Sequence, residues 1–275
     1  MDIVQAIILG IVEGITEYLP ISSTGHLILT QSLMGLHGEA ANAYAIVIQG
    51  GAILAVLGLY RKRVASMLVG LSGKNPAGLK MAINLFIAFL PAAIFGVMLD
   101  DMIEAFLFKP GPVIAALALG GLLMLFVTPW QKKTYESGDR SYTDIESLSW
   151  KQALIIGLLQ CIAMWPGTSR SMMTIVGGMA VGLKPKHAAE FSFLLGLPTL
   201  GGATVYKLFK SSEALQTMDT TAAIIGLVSA FIAAALAIQW LVSYLTKHGL
   251  TLFGWYRLGL AAVVGYGLFS GMITL

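Results

Sequence analysis

Residues 13–26 read EGITEYLPISSTGH and place two glutamates, a proline and a run of three hydroxyl residues inside an otherwise apolar stretch. Residues 160–171 read QCIAMWPGTSRS and form a second break of the same kind, with a proline, hydroxyl residues and an arginine. Polar groups inside a membrane segment are costly, so function is expected where they occur. The rest of the fold can be predicted outward from these two breaks.

The composition predicts an integral membrane protein. Of the 275 residues, 57% are apolar and only 11% are charged, whereas soluble domains carry about 25% charged residues. The 31 glycines suit the close packing of helices in lipid. The net charge of +3 says little about partners, and we expect the bilayer and no nucleic acid.

The two prolines predict two re-entrant pairs of short helices, over residues 2–36 and 150–183, because the residue before a proline is pushed out of the helical conformation. A helix needs about 20 apolar residues to cross a bilayer. Six longer segments meet that length and predict membrane spans: 41–60, 81–99, 111–130, 188–206, 221–245 and 251–274.

The chain also repeats. The motif Pro20-x-x-Ser23 matches Pro166-x-x-Ser169, and residues 50–60 align with residues 196–206 at the same offset. Each half is a broken helix pair followed by three spans, and an odd number of spans requires the second half to be inverted. We therefore predict an all-α membrane protein with a single membrane domain, 1–275: repeat one, 1–130; a polar cytoplasmic linker, 131–149; and repeat two, 150–275.

The distribution of lysine and arginine predicts the orientation. With the 61–80 loop inside, the inside loops hold twelve basic residues and the outside loops hold three, which is a positive-inside bias. Both termini are then outside, Arg170 and Arg257 remain within apolar sequence, and the site is expected to open to the outer side.

The second halves of the two broken pairs predict an anion site. Ser22, Ser23 or Thr24 can cap one helix and Thr168 or Ser169 the other, so that two partially positive helix ends face the site. For the hydroxyls alone, simple satisfaction of a kink is the favoured explanation, but an arginine inside the membrane indicates function and suits phosphate. The predicted substrate-binding residues are Ser22, Thr24, Ser169, Arg170, Ser171 and Thr174.

Glu13 and Glu17 lie four residues apart and share a helix face. Together they predict a site for a divalent cation, Mg²⁺ or Ca²⁺, which takes one or two carboxylates plus phosphate oxygens. The alternative is that they form structural ion pairs with Arg170 or Arg257.

Ser23 and His26 also share a face at a helix start, and we predict Ser23 as nucleophile with His26 as its base. Two alternatives stay open, namely His26 as nucleophile and a metal-activated water. The predicted catalytic residues are Glu17, Ser23, His26 and Arg170.

These motifs resemble the undecaprenyl-diphosphate phosphatase family of the bacitracin-resistance type, which is distinct from the PAP2 enzymes. The resemblance covers the E-x-x-x-E motif at residues 13–17, the P-x-S-S-T-G-H stretch at residues 20–26 and the P-G-x-S-R-S-x-x-T motif at residues 166–174. It implies hydrolysis of undecaprenyl diphosphate to the monophosphate in the bacterial plasma membrane, with Mg²⁺ or Ca²⁺. A homodimer is a further expectation.

Two other functions compete with the phosphatase. Inverted repeats with broken helices are features of transporters, so a transporter or lipid flippase for an anionic substrate is the alternative. A non-catalytic membrane scaffold is the other. A transporter needs an anion site but no nucleophile beside a carboxylate pair, and a scaffold needs neither.

Overall fold

The computed structural model describes residues 1–36, 38–136, 141–210 and 218–270. Those ranges contain no β-strand, which confirms the all-α prediction; a single isolated bridge joins Thr143 and Leu183. The helices are α1 (Ile3–Tyr18), α2 (Ser23–Leu33), α3 (Glu39–Leu59), α4 (Arg61–Leu71), α5 (Pro76–Leu107), α6 (Pro110–Glu136), α7 (Trp150–Ile162), α8 (Arg170–Ala180), α9 (Pro185–Lys210), α10 (Thr220–Leu245) and α11 (Thr251–Phe269).

The two broken helix pairs form where the sequence predicts them, as α1–α2 and α7–α8. Each pair begins with a capping box, in which a side chain at the N-cap and a glutamine three residues later satisfy each other's backbone N–H groups. Asp2 and Gln5 form the box of α1, and Ser149 and Gln152 that of α7. No helix of either pair exceeds 16 residues, so none is long enough to span by itself.

Five helices, α5, α6, α9, α10 and α11, are long and apolar enough to cross a membrane, and α3 with α4 forms a sixth candidate bent by 78°. Five of the six predicted spans match single helices, and the sixth, 41–60, lies in α3 and counts as a candidate span only together with α4. The prediction of a plain loop at 61–80 was wrong, because Arg61–Leu71 is helical. Helices α5 and α6 also extend beyond the predicted ends of their spans, at residues 99 and 130. Residues 137–140 of the predicted linker and 271–274 of the last predicted span lie outside the described residues.

Helices from the two halves of the chain pack against one another. Helix α1 packs along α10, and α7 packs along α5. Both contacts depend on glycine: a Cβ at Gly10 would come within 2.4 Å of the Gly226 carbonyl oxygen, and one at Gly157 within 2.4 Å of the Ala88 carbonyl oxygen. Small residues allow such close approach of membrane helices. The inverted relation between the predicted repeats stays a prediction.

Helix α8 lies at the centre of this assembly. It contacts α6, α7 and α9, and each of its residues from Ser171 to Met179 is buried. The hydroxyl groups on α8 have no access to water there, so they must find hydrogen-bond partners within the protein. The first turns of this helix therefore place polar side chains in the middle of the fold.

Candidate functional site

The two breaks have the same local structure. Ser22 has a φ of 75° and its side chain accepts a hydrogen bond from the Gly25 N–H; Ser169 has a φ of 78° and accepts from the Met172 N–H. In the described residues these are the only non-glycine residues with positive φ. Such a conformation costs about 1–3 kcal/mol and persists where the surroundings enforce it. Of the hydroxyls that could cap these helices, Ser22 and Ser169 are the ones that do.

Glu17 joins the two breaks. Its Oε2 accepts a hydrogen bond of 2.6 Å from the Ser23 hydroxyl, and its Oε1 accepts one of 3.0 Å from Arg170 Nη2. The residue is buried, so this is an ion pair with little exposure to water. One carboxylate thus holds the predicted nucleophile and the predicted phosphate ligand together. The alternative expectation, an ion pair between a site glutamate and Arg170, is met for Glu17.

Arg170 is held on two further sides. Its Nη1 donates to the Ser192 carbonyl oxygen at 2.9 Å, and its guanidinium lies 5.5 Å from the centre of the Tyr18 ring. A Cβ at Gly196 would come within 3.1 Å of the guanidinium, so glycine there leaves room for it. Arg170 Nε is buried and has no hydrogen-bond partner among the described residues. A phosphate placed here would find an unpaired donor at Nε.

The structure does not form the predicted pair of Ser23 and His26. His26 Nδ1 lies 2.7 Å from the Ser22 carbonyl oxygen, which can only accept, so Nδ1 carries the proton. Nε2 lies 2.7 Å from the Tyr256 hydroxyl, and the two rings stack. The Ser23 hydroxyl is bonded to Glu17 instead. Glu17, rather than His26, is therefore placed to receive the Ser23 proton.

Tyr256 is one residue of this site that the sequence did not reveal, and Tyr18 and Ser192 are two others. Tyr256 lies 230 positions from His26, and a single tyrosine in an apolar span is ordinary. Its neighbour Arg257 was the available signal, since arginine inside a membrane span is rare. Tyr18, whose ring faces Arg170, gave no signal beyond its place next to Glu17.

Several predicted substrate ligands hold the two breaks together. The Ser171 hydroxyl donates to the Leu19 carbonyl oxygen at 2.9 Å and lies 3.0 Å from the Ser169 hydroxyl. The Thr174 hydroxyl lies 2.6 Å from that of Ser192 and donates to the Arg170 carbonyl oxygen. Thr24 is half-buried in the first turn of α2. The structure brings all these residues to one place, and their contact with a substrate stays a prediction.

Glu13 is the least satisfied group of the site. Its side chain is 1% exposed, and neither carboxylate oxygen has a hydrogen-bond partner within the described ranges. A buried carboxylate without a partner is strongly disfavoured in its charged form, so it must either hold a proton or face a cation. Glu13 lies one helical turn before Glu17 and fits a divalent cation in this respect. The described residues contain no group of three or more histidine, cysteine or acidic side chains that could hold a metal, so a substrate phosphate would have to complete the ligand set.

Arg257 links the two breaks through hydrogen bonds to their backbones. It is fully buried, and its guanidinium donates to the carbonyl oxygens of Pro20 in the first break and Gly167 in the second, at 3.4 and 2.8 Å. It donates as well to two carbonyl oxygens of α6, those of Ala116 and Leu117. The expectation that Arg257 pairs with a site glutamate is therefore not met, because backbone carbonyls take up its donors.

Comparison with known proteins matches this chain to a named family. The family model described as "Bacitracin resistance protein BacA" matches residues 6–263. A protein of Ectopseudomonas mendocina is 45% identical over 94% of this chain and 92% of its own length. One of Nitrosomonas europaea is 45% identical over 98% and 96%, and one of Sorangium cellulosum is 46% identical over 94% and 84%. All three are named undecaprenyl-diphosphatase.

Proposed function

The chain belongs to the bacitracin resistance protein BacA family, and from this premise we propose that it is an undecaprenyl-diphosphatase. It hydrolyses undecaprenyl diphosphate to undecaprenyl phosphate and inorganic phosphate. The observation that carries the chemistry is Glu17, which holds the Ser23 hydroxyl on one oxygen and Arg170 on the other. A transporter of anions, the alternative, has no need of a hydroxyl bonded to a buried carboxylate.

In the proposed first step, Ser23 Oγ attacks the terminal phosphorus and its proton passes to Glu17 Oε2. The bond between that phosphorus and the bridging oxygen breaks, and undecaprenyl phosphate leaves with the electron pair. In the second step, water attacks the phosphorus of the phosphoserine and the bond from that phosphorus to Ser23 Oγ breaks. Glu17 returns its proton to Ser23 Oγ, and both protons of the water leave on the inorganic phosphate.

Arg170 and the N-termini of α2 and α8 stabilise the negative charge that develops during this reaction. Phosphoryl transfer is catalysed mainly by positioning and by electrostatic stabilisation of the transferring group and the leaving oxygen. The planar guanidinium of Arg170 suits phosphate. When substrate is absent, Glu17 and Ser192 hold it in place. His26, oriented by Ser22 and Tyr256, then contacts the substrate as a donor or acceptor, and its role as nucleophile is the alternative route.

We also propose that Glu13 and Glu17 hold Mg²⁺ or Ca²⁺. The unsatisfied oxygens of Glu13 support this assignment, since a cation would offset the cost of the buried charge. When bound, the cation neutralises charge on the diphosphate oxygens. Activity of metal-stripped protein in excess chelator would contradict this part of the proposal alone.

The chain is a multi-pass membrane protein by the length and composition of its helices, and we place it in the bacterial plasma membrane with the site open to the outer side. The excess of lysine and arginine in the loops assigned to the inside supports that orientation. Single cysteines replacing Lys74 and Lys109, on a Cys161→Ala background, should label from opposite sides; labelling from one side would refute it. The expected homodimer stays a prediction, which the mass of the purified protein in detergent tests.

One experiment tests the activity and the route together. Purified protein is incubated with undecaprenyl diphosphate labelled in its terminal phosphate, with and without chelator, and is then quenched rapidly. We expect phosphate release together with an acid-stable phosphoserine adduct that is lost in Ser23→Ala. An acid-labile adduct that persists in Ser23→Ala would assign the nucleophile to His26, and release without any adduct would support direct attack by water. No release at all would refute the phosphatase.

A further inference from the structure

Gln160, in the last turn of α7, carries a buried polar group that the proposed mechanism does not use. Its side chain is 2% exposed, and its Nε2 has no hydrogen-bond partner within the described ranges. At the other end of the amide, Oε1 lies 3.3 Å from the Thr199 hydroxyl, which also lies 2.9 Å from the Leu195 carbonyl oxygen. A buried donor without an acceptor destabilises a fold. This amide therefore needs an acceptor that its surroundings in the described chain do not supply.

One face of α9 places Gln160 beside Arg170. Ser192, Gly196 and Thr199 follow one another at spacings of four and three residues, so they share a face of this helix. The Ser192 carbonyl oxygen accepts a hydrogen bond from Arg170, and a Cβ at Gly196 would come within 3.1 Å of the guanidinium. Thr199 contacts Gln160. The guanidinium and the amide are therefore neighbours along α9, about one helical turn apart.

The unpaired polar atoms of the described interior concentrate at this place. Six buried side-chain nitrogen or oxygen atoms lack a partner within the described ranges, and five of them belong to Glu13, Tyr18, Gln160 and Arg170. Two of the five, Arg170 Nε and Gln160 Nε2, can only donate. Neither can satisfy the other, so both require an acceptor from a ligand. Two buried donors about one helical turn apart suit an anion with several oxygen atoms, such as a phosphate.

The sequence repeat supports the same assignment. It matches Gln160 to Glu13, since each stands three positions after a glycine that packs closely against another helix, Gly157 in α7 and Gly10 in α1. At this position the first repeat presents unpaired acceptors and the second an unpaired donor. The acceptors fit a cation and the donor fits an anion. A diphosphate bound together with a divalent cation brings both.

We propose that Gln160 is a further substrate-binding residue, whose Nε2 donates a hydrogen bond to one oxygen of the diphosphate while Arg170 binds a neighbouring oxygen. The inference rests on the proposed function for the identity of this anion. Thr199 is a positioning residue, because its contact with Oε1 leaves Nε2 as the free end of the amide. A buried water bonded to Nε2 is the competing explanation, and it predicts that removing the amide leaves anion binding unchanged.

The test removes the amide and measures the binding of an anion that needs no turnover. Methylenediphosphonate, in which carbon joins the two phosphorus atoms, is titrated into the purified protein at a fixed Mg²⁺ concentration. We expect Gln160→Met, which keeps the length of the side chain, to raise the Kd about twentyfold, the scale of a lost hydrogen bond to a charged group. Gln160→Glu should raise it further, because a negative charge repels the anion. The kcat/KM for undecaprenyl diphosphate should fall in the same order.

Gln131→Met is the matched control. Gln131 is also buried, but its Nε2 donates to the Leu183 carbonyl oxygen at 2.9 Å, beyond the C-terminus of α8. Losing that bond should lower the melting temperature and leave the Kd unchanged. Gln160→Met should not lower the melting temperature of the ligand-free protein, because Nε2 of Gln160 has no bond to lose.

Three outcomes would overturn the proposal. An unchanged Kd and kcat/KM in Gln160→Met would mean that water alone satisfies the amide. Equal rises of the Kd in Gln160→Met and Gln131→Met would mean that the amide only supports the fold. Tighter binding by Gln160→Glu would mean that this position faces the bound cation. A wild-type protein that releases no phosphate from undecaprenyl diphosphate would instead refute the proposed function, and the Kd values would still decide whether Gln160 binds an anion.

Discussion

At the first break a serine with φ 75° caps α2, and at the second a serine with φ 78° caps α8. The side chains around these matched turns differ: the first break carries two glutamates, Ser23 and His26, whereas the second carries Arg170. The backbone thus supplies a partially positive helix end at both breaks. The side chains differ, so each break offers different chemical groups to the site. In the proposed mechanism, the first break provides the groups that attack phosphorus and exchange a proton, and the second provides the guanidinium that binds phosphate.

Glu17 gives the most direct test of this comparison. Within the described chain it is the only carboxylate that bonds to a residue of each break, to Ser23 in the first and to Arg170 in the second. Glu17→Gln keeps the shape but weakens the base for Ser23 and the ion pair with Arg170. We expect phosphate release to fall about a thousandfold, within the range of lost general-base catalysis. Glu190→Gln is the matched control, since Glu190 pairs with Arg63 away from the site, and it should stay near the wild-type rate. Equal losses in both variants would mean that Glu17 is structural.

The second break is tested by Arg170→Lys. A lysine keeps the charge but not the planar set of donors that suits phosphate. We expect kcat/KM to fall about a hundredfold, the scale of one lost donor to a transition state. Arg63→Lys changes an arginine of similar pairing, which bonds to Glu190 and Glu146 but is partly exposed, and it should have little effect on turnover. Near-normal turnover of Arg170→Lys would leave Arg170 as a structural partner of Glu17 alone.

The sequence allowed the breaks, the long helices and the clustering of Glu13, Glu17, Ser23 and Arg170 to be predicted, because proline, hydroxyl groups and charges stand out in apolar sequence. Helix α4 was missed because its start, Arg61-Lys-Arg, was taken for a loop, although these residues are good helix formers.

Apart from the capping serines and the pairing of Arg170 with a site glutamate, the hydrogen-bond partners could not be predicted. Ser23 has Glu17 and His26 within similar reach along the chain, and the choice between them depends on Tyr256, which only the packing of α11 brings to His26. The donors of Arg257 are likewise taken up by carbonyl groups that the breaks expose, and no spacing in the sequence records that.

A substitution of Tyr256 tests the first break with a smaller expected effect. We infer that Tyr256 positions His26 by occupying Nε2, so Tyr256→Phe removes one hydrogen bond and should slow turnover about tenfold, the scale of a lost bond to a buried group. The pH dependence of kcat/KM should shift as well, since the hydroxyl no longer contacts the imidazole. Tyr266→Phe, on the exposed face of the same helix, is the control. A reduced rate with an unchanged pH profile would mean that Tyr256 only packs against the ring.

The smallest expected effect is on stability and concerns an ion pair outside both breaks. This exposed pair serves as a reference for the buried pair of Glu17 with Arg170. Arg63 Nη1 donates to Glu146 at 2.7 Å, and the hydrogen bond and charge of Arg63 lower the pKa of this exposed carboxyl below its usual 4.5. A carboxyl whose pKa is lower in the folded state stabilises the fold above its unfolded pKa, and that contribution disappears as the pH falls through the folded value.

The wild-type melting temperature should therefore drop slightly more than that of Glu146→Gln as the pH is lowered from about 5 towards 3, while activity at neutral pH stays unchanged in both. Exposed pairs of this kind contribute little because water screens them, in contrast to the pair of Glu17 with Arg170, which is almost fully buried. Parallel curves for the two proteins would show that Glu146 contributes nothing. A loss of activity in Glu146→Gln would instead show that the ion pairs of Arg63 with Glu146 and Glu190 affect the catalytic site. The two breaks would then not account for all of the activity.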